Sequence, residues 1–347
     1  MDFMFGITEF SIFNVSTSPE HTGFQYFKNY AINLVEEINN DLSLEKKYPF
    51  SFNFQTLFFF DGEAFHKDET DYISINDGVV FSTFEVFYEM LCHCSVLPYL
   101  PPNELIFNTN LYYHFDNEQY DYTIKYPFNK ERRIIAEYMA MFAIKFIILH
   151  EIGHHYNGHI MYLNSSNHKT NALNHENSCV SLLDLQTLEM DADAFAISRL
   201  IYEILVLLSE DNRICQILKS IDDIFTLFVI SIHTLFLIFK KEGQGTTNSH
   251  FSPYLPSFIR SAINIDCAKT NIFFKAQGII TSEKFLEIAK KSVCDAEEYF
   301  YSLYGISHID DAKDLLERDT SPQINIFNNW SVLRKKLEPF ARLRLAD

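Results

Sequence analysis

Residues 134–149 are apolar on nearly every side of a helical projection, and the run leads straight into His150-Glu151-Ile152-Gly153-His154. A helix that is apolar all round has no face to give to solvent, so the remainder of the chain must be built around it. Asn129 supplies an N-cap ahead of Lys130, Glu131, Arg132 and Arg133, and the pattern predicts one helix from there to about Met161. Arg133, Glu137 and Lys145 interrupt the apolar run, which argues for a core helix over a membrane span.

The end of that helix carries chemistry. Helical geometry leaves His150 and His154 about 40° apart around the axis and about 6 Å apart along it, so both imidazoles can reach one ion. Neutral imidazole suits zinc, and a catalytic zinc site takes three protein ligands and keeps one position open. Glu151, beside the first ligand, is placed to take a proton from water there. The same pattern occurs on ordinary helices, so its context must decide.

That context comes at 180–209, where helical periodicity returns around Glu189-Met190-Asp191-Ala192-Asp193. Glu189 and Asp193 share one face at i and i+4. Glu189 can supply the third ligand, and Asp193 can accept the outer N–H of a ligand histidine, the contact that fixes tautomer and ring orientation. Ala192, Ala194 and Ala196 allow this helix to pack closely on the first. If the first helix continues past His154, His159 lies about 140° away from it and cannot share its ion. His155 and His159 are therefore expected to be structural or surface residues. The metzincin pattern fails, since Asn157 and Ile160 stand where it needs glycine and a third histidine.

Elsewhere the patterning predicts an amphipathic helix over 24–42, strands at 50–60, 72–75 and 105–115, a helix over 84–97, and a polar loop over 164–179 holding His168 and His175. Residues 224–239 form the most hydrophobic run; Ser231, His233 and Thr234 within it favour a buried core helix, with a membrane-facing helix as the competing reading. A loop is expected at 242–250, and helices at 282–303 and 331–343. The expected fold is mainly α (α+β): an N-terminal α+β region over 1–125 with a small β-containing part, then a helical domain over 126–347.

The excess of 46 acidic over 28 basic residues gives a net charge of −18, which repels a polyanion and excludes nucleic acid as a partner. The first ten residues lack a basic segment ahead of an apolar core, and the six cysteines form no compact framework; both lead to the expectation of a cytoplasmic protein with reduced thiols.

With these residues in view, H-E-x-x-H-x₃-G-H at 150–159 and E-x-x-A-D at 189–193 resemble the gluzincin metallopeptidases over roughly residues 146–196. Within that clan the two forms look like the prenyl-protease and HtpX-like peptidases, the ImmA/IrrE regulators and the Lit-type phage-exclusion peptidases. A chain with a substantial N-terminal region is most similar to the Lit type. The resemblance implies a helical zincin-like core, one Zn²⁺ on His150, His154 and Glu189, Glu151 as general base and Asp193 behind the ligands. Some prenyl-protease relatives carry a downstream histidine and arginine near the site, for which His250 and Arg260 stand here as transition-state stabilisers. The implied activity is endoproteolysis of an intracellular protein, as the Lit-type family cleaves a translation factor during phage infection. Two other readings remain beside it: an ImmA/IrrE-like regulator that cleaves a repressor, and a non-enzymatic protein in which zinc stabilises a binding surface.

Overall fold

A computed structural model describes residues 48–165, 180–209, 213–243, 254–309 and 322–346, apart from positions 56, 58, 116 and 117, together with 32, 33 and 36; of 109–123 the backbone alone is described. Most of the helix expected over 24–42, the expected loop beyond Ser165, and His168, His175 and His250 lie outside these residues.

The chain enters through β1 (Phe50–Gln55), β2 (Gly62–Lys67) and β3 (Thr70–Asn76), a sheet of order β1-β3-β2 in which β1 pairs parallel and β2 antiparallel with β3. Only Asp68 and Glu69 join β2 to β3, both at positive φ, the backbone twist that a two-residue hairpin requires. β3 runs directly into α1 (Asp77–Cys92). A second hairpin, β4 (Ile106–Phe115) and β5 (Glu118–Pro127), leads to α2 (Lys130–Tyr156). Then follow α3 (His159–Ser165), α4 (Leu182–Ser209), the short α5 (Arg213–Ile217), α6 (Ile221–Lys241), α7 (Ser257–Lys275), α8 (Ser282–Tyr304) and α9 (Pro322–Leu337). The protein is mainly α with a small β component near its N-terminal side.

α2 is the axis of this arrangement. Asn129 Oδ1 accepts the N–H groups of Glu131 and Arg132 and starts it, and every residue from Ile134 to Gly153 is buried. The helix contacts α1, α4 and α6 and touches both sheets. Its polar residues survive burial because each is answered: Lys145 Nζ lies 2.6 Å from Glu203 Oε2 on α4, and Glu137 accepts the hydroxyl of Tyr88 at 3.0 Å. The arginine that goes inside is Arg132 rather than Arg133; its guanidinium donates to the carbonyls of His93, Val96, Leu97, Leu100 and Pro101. Residues 93–101 thus wrap that guanidinium, and α1 stops at Cys92 instead of continuing to 97.

α2 also ends sooner than its sequence pattern predicts. Asn157 caps it, and Gly158 adopts φ +81, a left-handed conformation that glycine enters without a Cβ penalty. A Cβ at 158 would stand 2.6 Å from the backbone of Phe340 and Ala341, so the C-terminal segment occupies the space a side chain would need. Arg342 N–H donates to Tyr156 O at 2.8 Å and satisfies one of the free carbonyls of the helix end. The chain then restarts at a new angle as α3.

α6 matches its expectation as a core helix. Ser220 accepts the N–H of Asp223, Asp222 and Asp223 sit at the positive end of the helix dipole, and Lys240 and Lys241 sit at the negative end. By length and composition the helix could cross a membrane, yet most of it is buried, with α2, α7 and α8 packed around it. α7, β2 and β5 have no counterpart in the sequence reading, and α9 begins nine residues ahead of the expected 331 and stops at Leu337.

Candidate metal centre

α2 and α4 are pressed together where the two motifs meet. Gly153 has no side chain to keep them apart: a Cβ there would come within 3.2 Å of Ala192 Cα and Phe195 Cβ. Ala192 and Ala196 are fully buried on that face of α4, while Ala194 is half-buried and lies on its far side, its carbonyl toward Cys267 of α7. This close approach brings Glu189 of α4 over the end of α2.

His150 Nε2 and His154 Nε2 are 3.1 Å apart, Glu189 Oε2 is 3.3 Å from the first and Glu189 Oε1 is 3.6 Å from the second. Three donors bound tetrahedrally to zinc at their usual bond lengths stand about 3.3 Å from one another. The separations found here match that spacing, and these three residues form a group able to hold a metal ion.

The outer contacts decide where the ring protons sit. His150 Nδ1 lies 2.8 Å from Asp193 Oδ1, off the line of a hydrogen bond; that carboxylate is the acceptor nearest to an Nδ1 proton, and a proton there leaves Nε2 its lone pair. His154 Nδ1 lies 3.0 Å from His159 Nδ1, and His159 Nε2 lies 3.0 Å from Asp191 Oδ2. With His159 donating from Nε2 to Asp191, its Nδ1 accepts the N–H of His154, and His154 Nε2 likewise keeps a lone pair. Two nitrogen lone pairs and a carboxylate therefore converge on one point, a repulsive arrangement that a cation relieves. Glu189 Oε2 is buried there without a hydrogen bond among the described residues.

Charge in the surroundings acts differently on the two rings. Burial disfavours protonation of His150, but the Asp193 and Glu189 carboxylates beside it outweigh that and push the imidazole up to about 10, so Nε2 takes a proton when no metal ion holds its lone pair. His154, with Glu189 Oε1 3.6 Å away, is driven well below the ordinary range by burial, to which the neighbouring His150, His159 and His155 add. Asp193 is fully buried and, against that burial, is held well below the usual carboxylate range by Arg260 and His150. Arg260 Nε donates to Asp193 Oδ2 at 2.9 Å and its Nη2 to Oδ1 at 2.7 Å; Asn264 adds a third donor at 3.1 Å. Positive charge is thus favoured at His150 and disfavoured at His154, so His154 stays a neutral imidazole with Glu189 as the carboxylate between the two rings.

Glu151 lines a cavity of about 30 Å³ together with the ligand candidate His150 and with Asp61, Val79, Phe146, Tyr254 and Arg260. That is room for about one water. Burial, with Glu189 and Asp61 adding to it and His150 opposing, pushes the Glu151 carboxyl up to about 8. Asp61 precedes β2, so residues on both sides of position 125 build the site; that position itself falls within β5.

The structure therefore brings His150, Glu151, His154, Glu189, Asp193 and Arg260 into one place. Arg260 reaches the cavity wall, but its fork is committed to Asp193, and its carbon lies 5.5 Å from the centroid of the Tyr254 ring. His155 is structural, with Nε2 3.0 Å from Tyr72 O and Nδ1 3.3 Å from Asp71 Oδ1, tying α2 to β3. His159, Asp191, Asn264 and Tyr254 were not anticipated. The signal for His159 was Gly158: a helix that breaks there turns the next residue back toward His154.

A buried H-E-x-x-H helix end faced by a carboxylate from a second helix belongs to the chemistry of hydrolases. In agreement, the family model Peptidase U49 matches residues 116–253, a stretch that holds both motifs and covers less than half of the chain, and it supports a peptidase. No curated protein and no solved structure matches this chain.

Proposed function

We propose that this protein is a zinc-dependent endopeptidase with His150, His154 and Glu189 as the ligands of one ion and Glu151 as general base. The observation that carries the reading is the convergence of the two Nε2 lone pairs and the Glu189 carboxylate at zinc-ligand spacing. Among the described residues the group contains three, the number of protein ligands a catalytic site takes. The Peptidase U49 match and the Lit-type resemblance point to the same group of peptidases, and the setting they suggest is cleavage of an intracellular protein in phage defence.

When bound, zinc supplies Lewis-acid activation of water and of a carbonyl oxygen. The chain's own residues do the rest. Asp193, held by Arg260 and Asn264, fixes His150 with its Nε2 inward; Asp191, through His159, does the same for His154. Burial raises the Glu151 carboxyl to about 8, so near neutral pH it is mostly protonated until a neighbouring positive charge lowers it; once ionised it can take a proton in a nearly dry cavity and return it to the leaving amine. Tyr254, which the neighbouring Glu189 carboxylate and burial keep protonated, lines the same cavity and can donate to an oxygen that gains charge.

Glu151→Gln tests the assignment: the variant should retain one zinc by metal analysis and lose at least a thousandfold in proteolysis of cellular proteins. Proteolysis at the wild-type rate would remove Glu151 from the reaction.

A further inference from the structure

A second cluster of metal-ligating groups lies against the same buried face of α7. His233 of α6, Glu297 of α8 and His308, just beyond α8, place one ligating atom each within 4.8 Å of one another, and all three residues are buried. His233 Nε2 is 2.7 Å from Glu297 Oε1, and the same oxygen is 3.2 Å from His308 Nδ1. That second approach is off line, since His308 Nδ1 is buried without a hydrogen bond among the described residues. Glu297 Oε2 is engaged separately and accepts the backbone N–H of His308 at 2.8 Å.

Each imidazole is also held from behind. Ser261 Oγ lies 2.7 Å from His233 Nδ1, and Ser257 Oγ lies 3.0 Å from His308 Nε2. Without an ion, His233 Nε2–H donates to Glu297 Oε1 while His308 Nδ1 faces the same oxygen unpaired; if the two hydroxyls accept the outer ring N–H groups, an ion can replace the Nε2 proton and take both ring nitrogens and the carboxylate. Among the described residues the cluster lines a cavity of about 720 Å³, within the range of small-molecule sites. Two imidazoles with one carboxylate select a transition ion such as zinc over calcium or magnesium.

We propose that His233, Glu297 and His308 form a second metal site, specific for a divalent ion of the zinc class and separate from the site on α2 and α4. The two sites share α7. Ser257 and Ser261 face the second cluster, while Arg260 and Asn264 on the same helix hold Asp193 behind His150. An ion at the second site thereby fixes the helix that orients the first.

The test is zinc titration of the full chain after removal of metal with a chelator, followed by calorimetry, with Zn²⁺ as the probe. The wild type should take up two equivalents, His308→Asn one, and a His154→Ala/Glu189→Ala double variant one. Zn²⁺ should still raise the melting temperature of that double variant, and this rise should disappear when His308→Asn is added. Glu297→Gln, which keeps side-chain volume and an acceptor for the His308 N–H, is the second variant if His308→Asn loses its far-ultraviolet helical signal. A double variant that binds no zinc, or a folded His308→Asn or Glu297→Gln chain that still binds two equivalents, overturns the second site. A wild type that binds one equivalent which the double variant retains overturns instead the ligand assignment at the first.

Discussion

The tautomers of two histidines decide the chemistry at the residue scale. His150 and His154 each turn their Nδ1 proton outward, one toward Asp193 and the other to His159, and so both present Nε2 to the same point. Partners of this kind tune metal affinity about 10- to 100-fold. His159→Leu and Asp191→Leu should therefore each weaken zinc binding within that range in a competition titration, with both ligands still present; unchanged affinity would mean that the His154 ring is fixed by something else. Tyr254 lines the cavity with Glu151, and if its hydroxyl donates to an oxygen that gains charge only during reaction, Tyr254→Phe should lower kcat with little change in KM. His150, His154, Glu189 and Asp193, which the structure brings together, were singled out by two motifs read jointly, because helical geometry converts i and i+4 into a shared face. His159 was not, because the reading carried the helix through Gly158.

Elements were legible where their inward face is apolar. α2, α4, α6 and α8 all appear in the periodicity, and their centres fall where expected. α7 was missed for a physical reason: Ser257, Arg260, Ser261 and Asn264 are buried on it, so the face that should have read as apolar is instead committed to two polar clusters. The β2–β3 hairpin was hidden because its turn uses Asp68 and Glu69 at positive φ without a glycine. At this scale α2 makes its own predictions. Lys145→Met leaves the Glu203 charge buried without its partner and should cost about 3–5 kcal/mol in urea denaturation, whereas Lys145→Met with Glu203→Leu should recover most of the loss. Gly158→Ala should destabilise by more than the roughly 1–2 kcal/mol of a left-handed alanine, since its Cβ also meets the backbone of 340 and 341.

At the scale of the molecule, one helix organises both stability and function. α2 is buried along its length and ends beneath α4, while the residues before β2, the start of α1 and the stretch before α7 close the cavity over Glu151. Such an end is dry enough to raise a carboxyl to about 8. It also ties metal to folding, because an ion that binds only the assembled site stabilises the native chain by mass action. Chelation should accordingly lower the melting temperature, and Zn²⁺ should restore it. The central claim is the ion itself, and anomalous diffraction at the zinc edge from crystals of the purified protein tests it most directly. The account predicts a peak about 2.0–2.2 Å from His150 Nε2, His154 Nε2 and a Glu189 oxygen, with no fourth protein ligand. No peak at that point, or one closed by a fourth side chain, would contradict it.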